Sequence, residues 1–506
     1  MNETPTLPKK SISGLLSLII LVMLSACTHR PMVANNNSDL SANTRNDFGI
    51  GVEQSLKNHS DKLFGVGSVL DKPAPRSSSN YRRPGQPADQ QLLLASGLKV
   101  EYLTREAADQ TDMMALWPDD NNPSHLITCV EKSRSSIDES GRLNPSIQRI
   151  DLRSGQVVTM VRGLSRCDGI RRTPWHTILV GEEVIDGAAW EIFEPLKVTE
   201  QLIHDRADKL VSDPLHIAKR PELGIKAWEG LAVYPNGVVV SVDETRPGAI
   251  YRFVPRQFWQ GQALQSLDQS PLASGSLYAM LLDCVGTTPH SNTLKNAGCQ
   301  VGNGYWLVVD AESARHSARN EGATPMYRAE DMHLDPAYTG AGVRFCWTNT
   351  GNPKTRHFAE VMCAVDHHPD AYLQALDTTS NKTRLVTETN QVASVTVKRF
   401  IQGDPIFHSF DNLEFQQGSG NLYVIEDRAN GSIYACLPDG EDRDLRSDGC
   451  IRIASVIDSS AKPTGFLFNA AGTTAYLSLQ HSKDKHMPLV DGFRSDDILK
   501  ITGFKP

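Results

Sequence analysis

The chain has 506 residues, with 51 Lys and Arg against 59 Asp and Glu, a formal net charge of −8 and 40% hydrophobic residues. That acidic balance argues against nucleic-acid binding, which calls for a basic face. A folded body of this length exceeds one small domain, unless the architecture is a barrel or a propeller.

Lys9 and Lys10 precede an apolar stretch over 15–24, interrupted only by Ser17 and ending in Leu24-Ser25-Ala26-Cys27. A basic start, a short apolar middle and small residues before a cut are the parts of a secretory leader. The stretch is too short to cross the hydrocarbon of a bilayer, which needs roughly 20 residues. Leu-Ser-Ala-Cys resembles the lipobox of bacterial lipoproteins. The resemblance implies that 1–26 is removed and that Cys27 carries the lipid anchoring the protein to a membrane of the bacterial cell envelope. Thr28, not Asp, follows the cysteine, which points to the outer membrane. Residues 27–90 are rich in Asn, Ser, Pro, Arg and Lys and read as a flexible, solvated tether, with a short amphipathic helix around 52–64.

Beyond residue 90 short apolar runs alternate with turn residues, at 126–130, 177–180, 237–242, 249–254, 305–309, 342–347, 422–425, 431–435 and 474–479. Val, Ile, Tyr and Trp bounded by Gly, Asn, Asp or Pro predict strands and hairpins. Helical periodicity is confined to 195–210 and 310–320. The pattern predicts an all-β fold over 91–506, a β-propeller built of repeated four-stranded units with irregular insertions. No strict period of 40 to 50 residues is present, which argues against WD40 or kelch repeats.

Besides Cys27 there are eight cysteines, in keeping with an oxidising compartment. Cys284 with Cys299, Cys346 with Cys363, and Cys436 with Cys450 form local pairs around turn-rich loops and are expected as disulfides. Cys129 and Cys167 remain: either they pair with each other, or at least one is kept as a thiol.

Acidic residues recur at strand ends, as Glu182-Glu183, Asp243-Glu244, Glu330-Asp331 and Glu426-Asp427, with Glu229 alone in Trp228-Glu229-Gly230. Neighbouring side chains on a strand face opposite ways, so each pair can offer one carboxylate to a common centre. Several carboxylates converging on one cavity repel unless cations neutralise them. Oxygen clusters suit calcium, and a thiolate beside carboxylates suits iron.

Cys167-Asp168-Gly169-Ile170-Arg171-Arg172-Thr173-Pro174-Trp175-His176-Thr177, followed by Glu182-Glu183, resembles a segment of the PhoX-type alkaline phosphatases. There the family reads Cys, small residues, Thr-Pro-Trp-Gly-Thr and then Glu-Glu. Trp228-Glu229-Gly230, Val242-Asp243-Glu244, the run from Gly322-Ala323-Thr324 to Arg328-Ala329-Glu330, Thr348-Asn349, Asp411-Asn412, Glu426-Asp427 and Thr464-Gly465 follow in the family's order. The resemblance implies a six-bladed propeller whose axis holds iron and calcium and hydrolyses small phosphate esters, acting as a monomer. It assigns iron ligation to Cys167, metal binding to Glu229 and Glu330, a catalytic part to Glu229, and the grip on the substrate phosphate to Arg328. Glu182, Glu183, Asp243, Glu244, Asp411, Asn412 and Asp427 supply the remaining metal ligands. His176 stands in place of the family's Gly, Ala329 in place of Pro, and the run after Cys167 is one residue longer. Other readings fit the same residues: Arg328 as a structural ion-pair partner, a calcium-dependent propeller hydrolase such as a lactonase, or a non-catalytic envelope scaffold with Cys167 in a disulfide.

Overall fold

In the computed structural model the described residues are 48–78, 80–283, 301–355, 358–370, 394–438, 449–480 and 482–506. Every run predicted as a strand is one, with ends shifted by up to three residues. Many are buried on both faces, Thr111–Trp117 along its whole length. This explains why they read as continuous apolar runs instead of strict alternation.

Among the described residues the strands form five antiparallel-dominated sheets. Trp228–Val233 to Gly275–Leu282 and Ala329–Leu334 to Val395–Gln402 are two four-stranded meanders, joined into one nine-stranded sheet by Gly302–Val309. In another sheet the N-terminal strand Lys99–Ala108 lies outside the C-terminal strand Ser495–Thr502, followed inward by Thr474–Gln480 and Lys462–Phe468. The innermost strands Thr111–Trp117, Cys167–Arg172, Trp228–Val233, Ala329–Leu334, Phe410–Phe415 and Lys462–Phe468 neighbour one another in that order, and the last returns to the first. The fold is all-β and propeller-like, with apolar seams between successive sheets, such as Trp228, Tyr251 and Leu179 or Val361, Phe410 and Val424.

Two expectations need correction. The helix expected over 195–210 is absent; Gln201–Asp205 instead pairs in parallel with Val157–Arg162, and Leu210–Val211 adds to its edge. Tertiary pairing, helped by an Arg162–Glu200 ion pair of 2.7 Å, overrides a local pattern too weak to stand alone. The described part of the expected tether, 48–90, is not solvated. Leu56, Phe64 and Val66 join a core cluster, and buried Arg82 pairs with Asp484 at 2.5 Å and Asp497 at 2.6 Å. The expected helix near 52–64 is present as Phe48–Asn58 and Ser60–Leu63. The one near 310–320 is Ala314–Glu321, ended by Gly322 in the left-handed region at φ 82°. Cys346–Cys363 and Cys436–Cys450 are disulfides between directly paired strand residues. Cys284, Cys299 and Cys27 lie outside the described residues.

Candidate metal centre

The same irregularity occurs at the same place in every innermost strand. Each pairs with its neighbour up to Thr111, Cys167, Trp228, Ala329, Phe410 or Thr464, then carries one extra residue before pairing resumes at Met114, Ile170, Leu231, Met332, Leu413 or Leu467. A bulge of this kind re-aims the side chain it releases. The first residue after the break is Asp112, Asp168, Glu229, Glu330 or Asp411, and Gly465 in the remaining strand. On the partner strands, the residue just past the paired one is Glu131, Glu183, Glu244 or Asp427, and Thr350 opposite Ala329. Two rows of acids therefore arise from one repeated backbone geometry.

Glycine lets the strands come close enough for these rows to meet. A β-carbon at Gly169 would lie 1.7 Å from the Glu229 carbonyl oxygen, and one at Gly230 would lie 2.3 Å from the Met332 nitrogen. Carboxylate oxygens then converge in three linked groups: Asp112, Glu131 and Asp168; Asp168, Glu183 and Glu229; Glu229, Glu330 and Asp411. Within each group the oxygens lie within 4.8 Å of one another. Asp168 and Glu229 each belong to two groups.

Three cations are threaded through the acids. Arg166 bridges Glu131 and Glu183. Arg328 reaches Glu244 at 2.6 Å, Glu330 at 3.0 Å and Asp427 at 3.9 Å. Lys462 reaches Asp427 at 3.0 Å and Asp411 at 3.5 Å. Gln480 Nε2 donates to Asp112 at 2.9 Å and to Glu131 at 3.0 Å, and the Thr350 hydroxyl donates to Glu330. These cations are outnumbered by the acids. Burial, reinforced by neighbouring carboxylates, pushes Asp168, Glu183, Glu229, Glu330 and Asp411 well above the ordinary carboxylate range. Burial also raises Asp112, against the pull of Lys462, to about 7. Asp168 Oδ1 and Glu229 Oε2 are buried with no hydrogen-bond partner. A buried carboxylate oxygen left without a donor, among other carboxylates, fits a bound cation.

A family model for alkaline phosphatase PhoX matches residues 211–483. The chain belongs to the PhoX alkaline phosphatase family. Membership makes it a phosphoric ester hydrolase by class. The PhoX match takes in Glu229, Glu244, Glu330, Asp411 and Asp427, while Asp112, Glu131, Asp168 and Glu183 precede it. Among solved structures, Pseudomonas fluorescens PhoX in complex with vanadate, a transition state analogue, is similar at 14% identity. That match covers 87% of this chain and 98% of the Pseudomonas chain with a TM-score of 0.58, and it supports the fold. A gluconolactonase from Xanthomonas campestris is 10% identical over 86% of this chain and 98% of its own, with a TM-score of 0.38, too low to carry an argument. No curated protein matches the chain.

Of the residues that the PhoX resemblance marks, Glu183, Glu229, Glu330 and Asp411 meet in the linked groups. Glu244, Asp427 and Arg328 form their rim. Four assignments are corrected by the structure. Cys167 is bonded to Cys129 and offers no thiolate. Glu182 points into its own sheet, where Arg206 at 2.5 Å and Trp190 Nε1 at 3.0 Å hold its carboxylate. Asp243 likewise turns away, to Arg315 at 3.1 Å. Asn412 uses its oxygen on the Thr464 hydroxyl and the Gly465 amide, both at 2.8 Å. Strand alternation separates three of the acidic pairs: Glu182, Asp243 and Glu426 turn into their own sheets, and their neighbours face the axis, whereas Asp331, inside the bulge, pairs with Arg171 of another innermost strand at 2.7 Å. Sequence reasoning missed Asp112, Glu131, Asp168, Arg166 and Lys462. The available signal was an acid at the second position of a buried strand, repeated in Thr-Asp-Met, Cys-Asp-Gly, Trp-Glu-Gly, Ala-Glu-Asp and Phe-Asp-Asn.

Proposed function

We propose that this chain hydrolyses small phosphate esters, monoesters foremost, at a centre of several cations held by the linked carboxylates. By family resemblance these cations include iron and calcium. The reading rests on one observation above all: buried carboxylate oxygens of Asp168 and Glu229 without protein donors, each shared by two acidic groups. Asp112, Glu131, Asp168, Glu183, Glu229, Glu330 and Asp411 would hold the cations. When bound, the cations supply Lewis acidity toward phosphoryl oxygens. Arg328 presents its guanidinium at the rim, fixed by three carboxylates, and binds the substrate's phosphoryl oxygens through paired N–H donors. Lys462, on the opposite side of Asp427, adds positive charge where negative charge gathers during transfer. Arg166 keeps Glu131 and Glu183 in place.

The test is hydrolysis of an aryl phosphate by purified protein. Activity is expected to vanish with chelator, to return with iron and calcium, and to fail in Glu330→Gln. Absence of hydrolysis by metal-loaded protein would overturn the proposal.

The same reading includes a six-bladed propeller acting as a monomer, one blade for each innermost strand. It also places the chain at the outer membrane, held by lipid on Cys27 after loss of 1–26. Mass measurement of the mature N-terminus tests the anchor: an unmodified Cys27 would exclude it.

A further inference from the structure

We infer that Asp168, and not Cys167, is the metal ligand contributed by this segment, so that the centre takes oxygen where the family resemblance places sulfur. The inference deepens the metal-dependent reading above and rests on it. Register decides the matter. Cys167 is the last paired residue before the bulge, the position held in other innermost strands by Thr111, Trp228, Ala329 and Phe410. Those side chains are fully buried, and Trp228, Ala329 and Phe410 serve as core. Cys167 follows them into an apolar cluster with Ile147, Met160 and Ile170, where Cys129 closes on it. Asp168 takes the next position, the one from which Asp112, Glu229, Glu330 and Asp411 reach the axis.

Two further observations point the same way. Asp168 is 2% exposed, its Oδ1 has no hydrogen-bond partner, and its carboxylate belongs to two of the acidic groups. The family pattern carries small residues after the cysteine, whereas this chain carries Asp168 there, beside a sulfur held in a disulfide. Cys129 lies two residues before Glu131. Its bond to Cys167 therefore ties together the strands presenting Glu131 and Asp168, the two walls of the first group. Oxygen ligands favour hard cations, whereas a thiolate favours softer ones.

The experiment combines thiol mapping with metal analysis of the full chain. Metal-loaded protein is alkylated without reduction, digested and mapped by mass. Metal content and affinity are then measured for wild type, for Asp168→Asn, and for the double variant Cys129→Ala with Cys167→Ala, each checked for folding by its melting curve. We expect a linked Cys129–Cys167 peptide with neither sulfur alkylated. The double variant should keep the wild-type metal count, and Asp168→Asn should lose a metal or bind it more than about tenfold more weakly. An alkylated Cys167 in the native protein overturns the inference without any variant. So does metal loss in the cysteine variant while Asp168→Asn keeps its full complement. Wild-type protein that binds no metal at all removes the metal-dependent reading itself, and this inference with it.

Discussion

Removing the cations should make the protein's stability fall as pH rises, and Asp112 gives the size of the effect. Its folded-state pKa stands near 7 against an ordinary 3.8. Below about pH 4 folded and unfolded chains both keep this proton, and no penalty arises. Between the two values the unfolded chain releases it while the folded chain holds it, so stability declines through that window and the full cost is present above about pH 7. At about 1.4 kcal/mol per pH unit, a separation of about three units amounts to roughly 4 kcal/mol from this one carboxyl. Asp331 titrates outside the relevant range, because Arg171 and His333, against the cost of burial, hold it well below the ordinary value. His333 works the opposite way on the acid side, since burial keeps it neutral. The raised carboxyls of Asp168, Glu183, Glu229, Glu330 and Asp411 act in the same direction, so the part due to Asp112 is taken from the difference between wild type and Asp112→Asn. Urea unfolding followed by tryptophan fluorescence, in chelator at pH 5 and pH 8, is the assay. The variant should be the more stable protein at pH 8, by an amount on the order of 4 kcal/mol, with a smaller gain at pH 5. Added cations should abolish that gain in favour of wild type. A chelated variant no more stable than wild type at pH 8 would refute the reasoning.

Arg328→Ala should lower kcat/KM for an aryl phosphate by about 10²–10³-fold, with Arg328→Lys recovering part of it, because a point charge replaces a fork of donors. Equal loss in both with an altered melting curve would mark a purely structural role. Arg82→Ala takes the buried guanidinium from Asp484 and Asp497, leaving them Arg494 at 3.7 Å and Arg105 at 2.9 Å, and should cost about 3 kcal/mol in urea unfolding; a cost under about 1 kcal/mol would show that the 48–90 segment is not held by this contact. Gly230→Ala puts a β-carbon against the backbone of the neighbouring strand, 2.3 Å from the Met332 nitrogen. It should destabilise by about 1–3 kcal/mol and weaken metal binding through the displaced Glu229, measurable by titration with the metal alone.

How much was legible in the sequence follows from what each signal encodes. Strand positions show because β-branched and aromatic runs between turn residues specify them locally. The choice between Glu182 and Glu183, or Asp243 and Glu244, is half legible: alternation says that one acid of each pair faces the axis, but only register says which. Asp112 sits inside Thr-Asp-Met-Met with no turn residue beside it, and Glu131 stands outside any acidic pair, so both read as isolated charges. Their role comes from a bulge, and an extra residue in a ladder leaves no mark in a single strand's composition. Cys167 was misread because a motif carries residue types forward, whereas the side chain's direction is set by pairing with Glu182. The segment 48–90 looked solvated because its composition is polar, yet a few residues such as Phe64 and Arg82 suffice to dock it.

The outermost strand 99–108, ahead of the first innermost strand, leans on 495–502. Lys462 and Gln480, which reach the acids from that same sheet, are therefore fully framed only once 495–502 has paired. A chain lacking 495–506 would lose the strand that joins 99–108 to this sheet, leaving the first and last innermost strands in contact but without that clasp. On the proposed reading, cation capture would then follow that pairing.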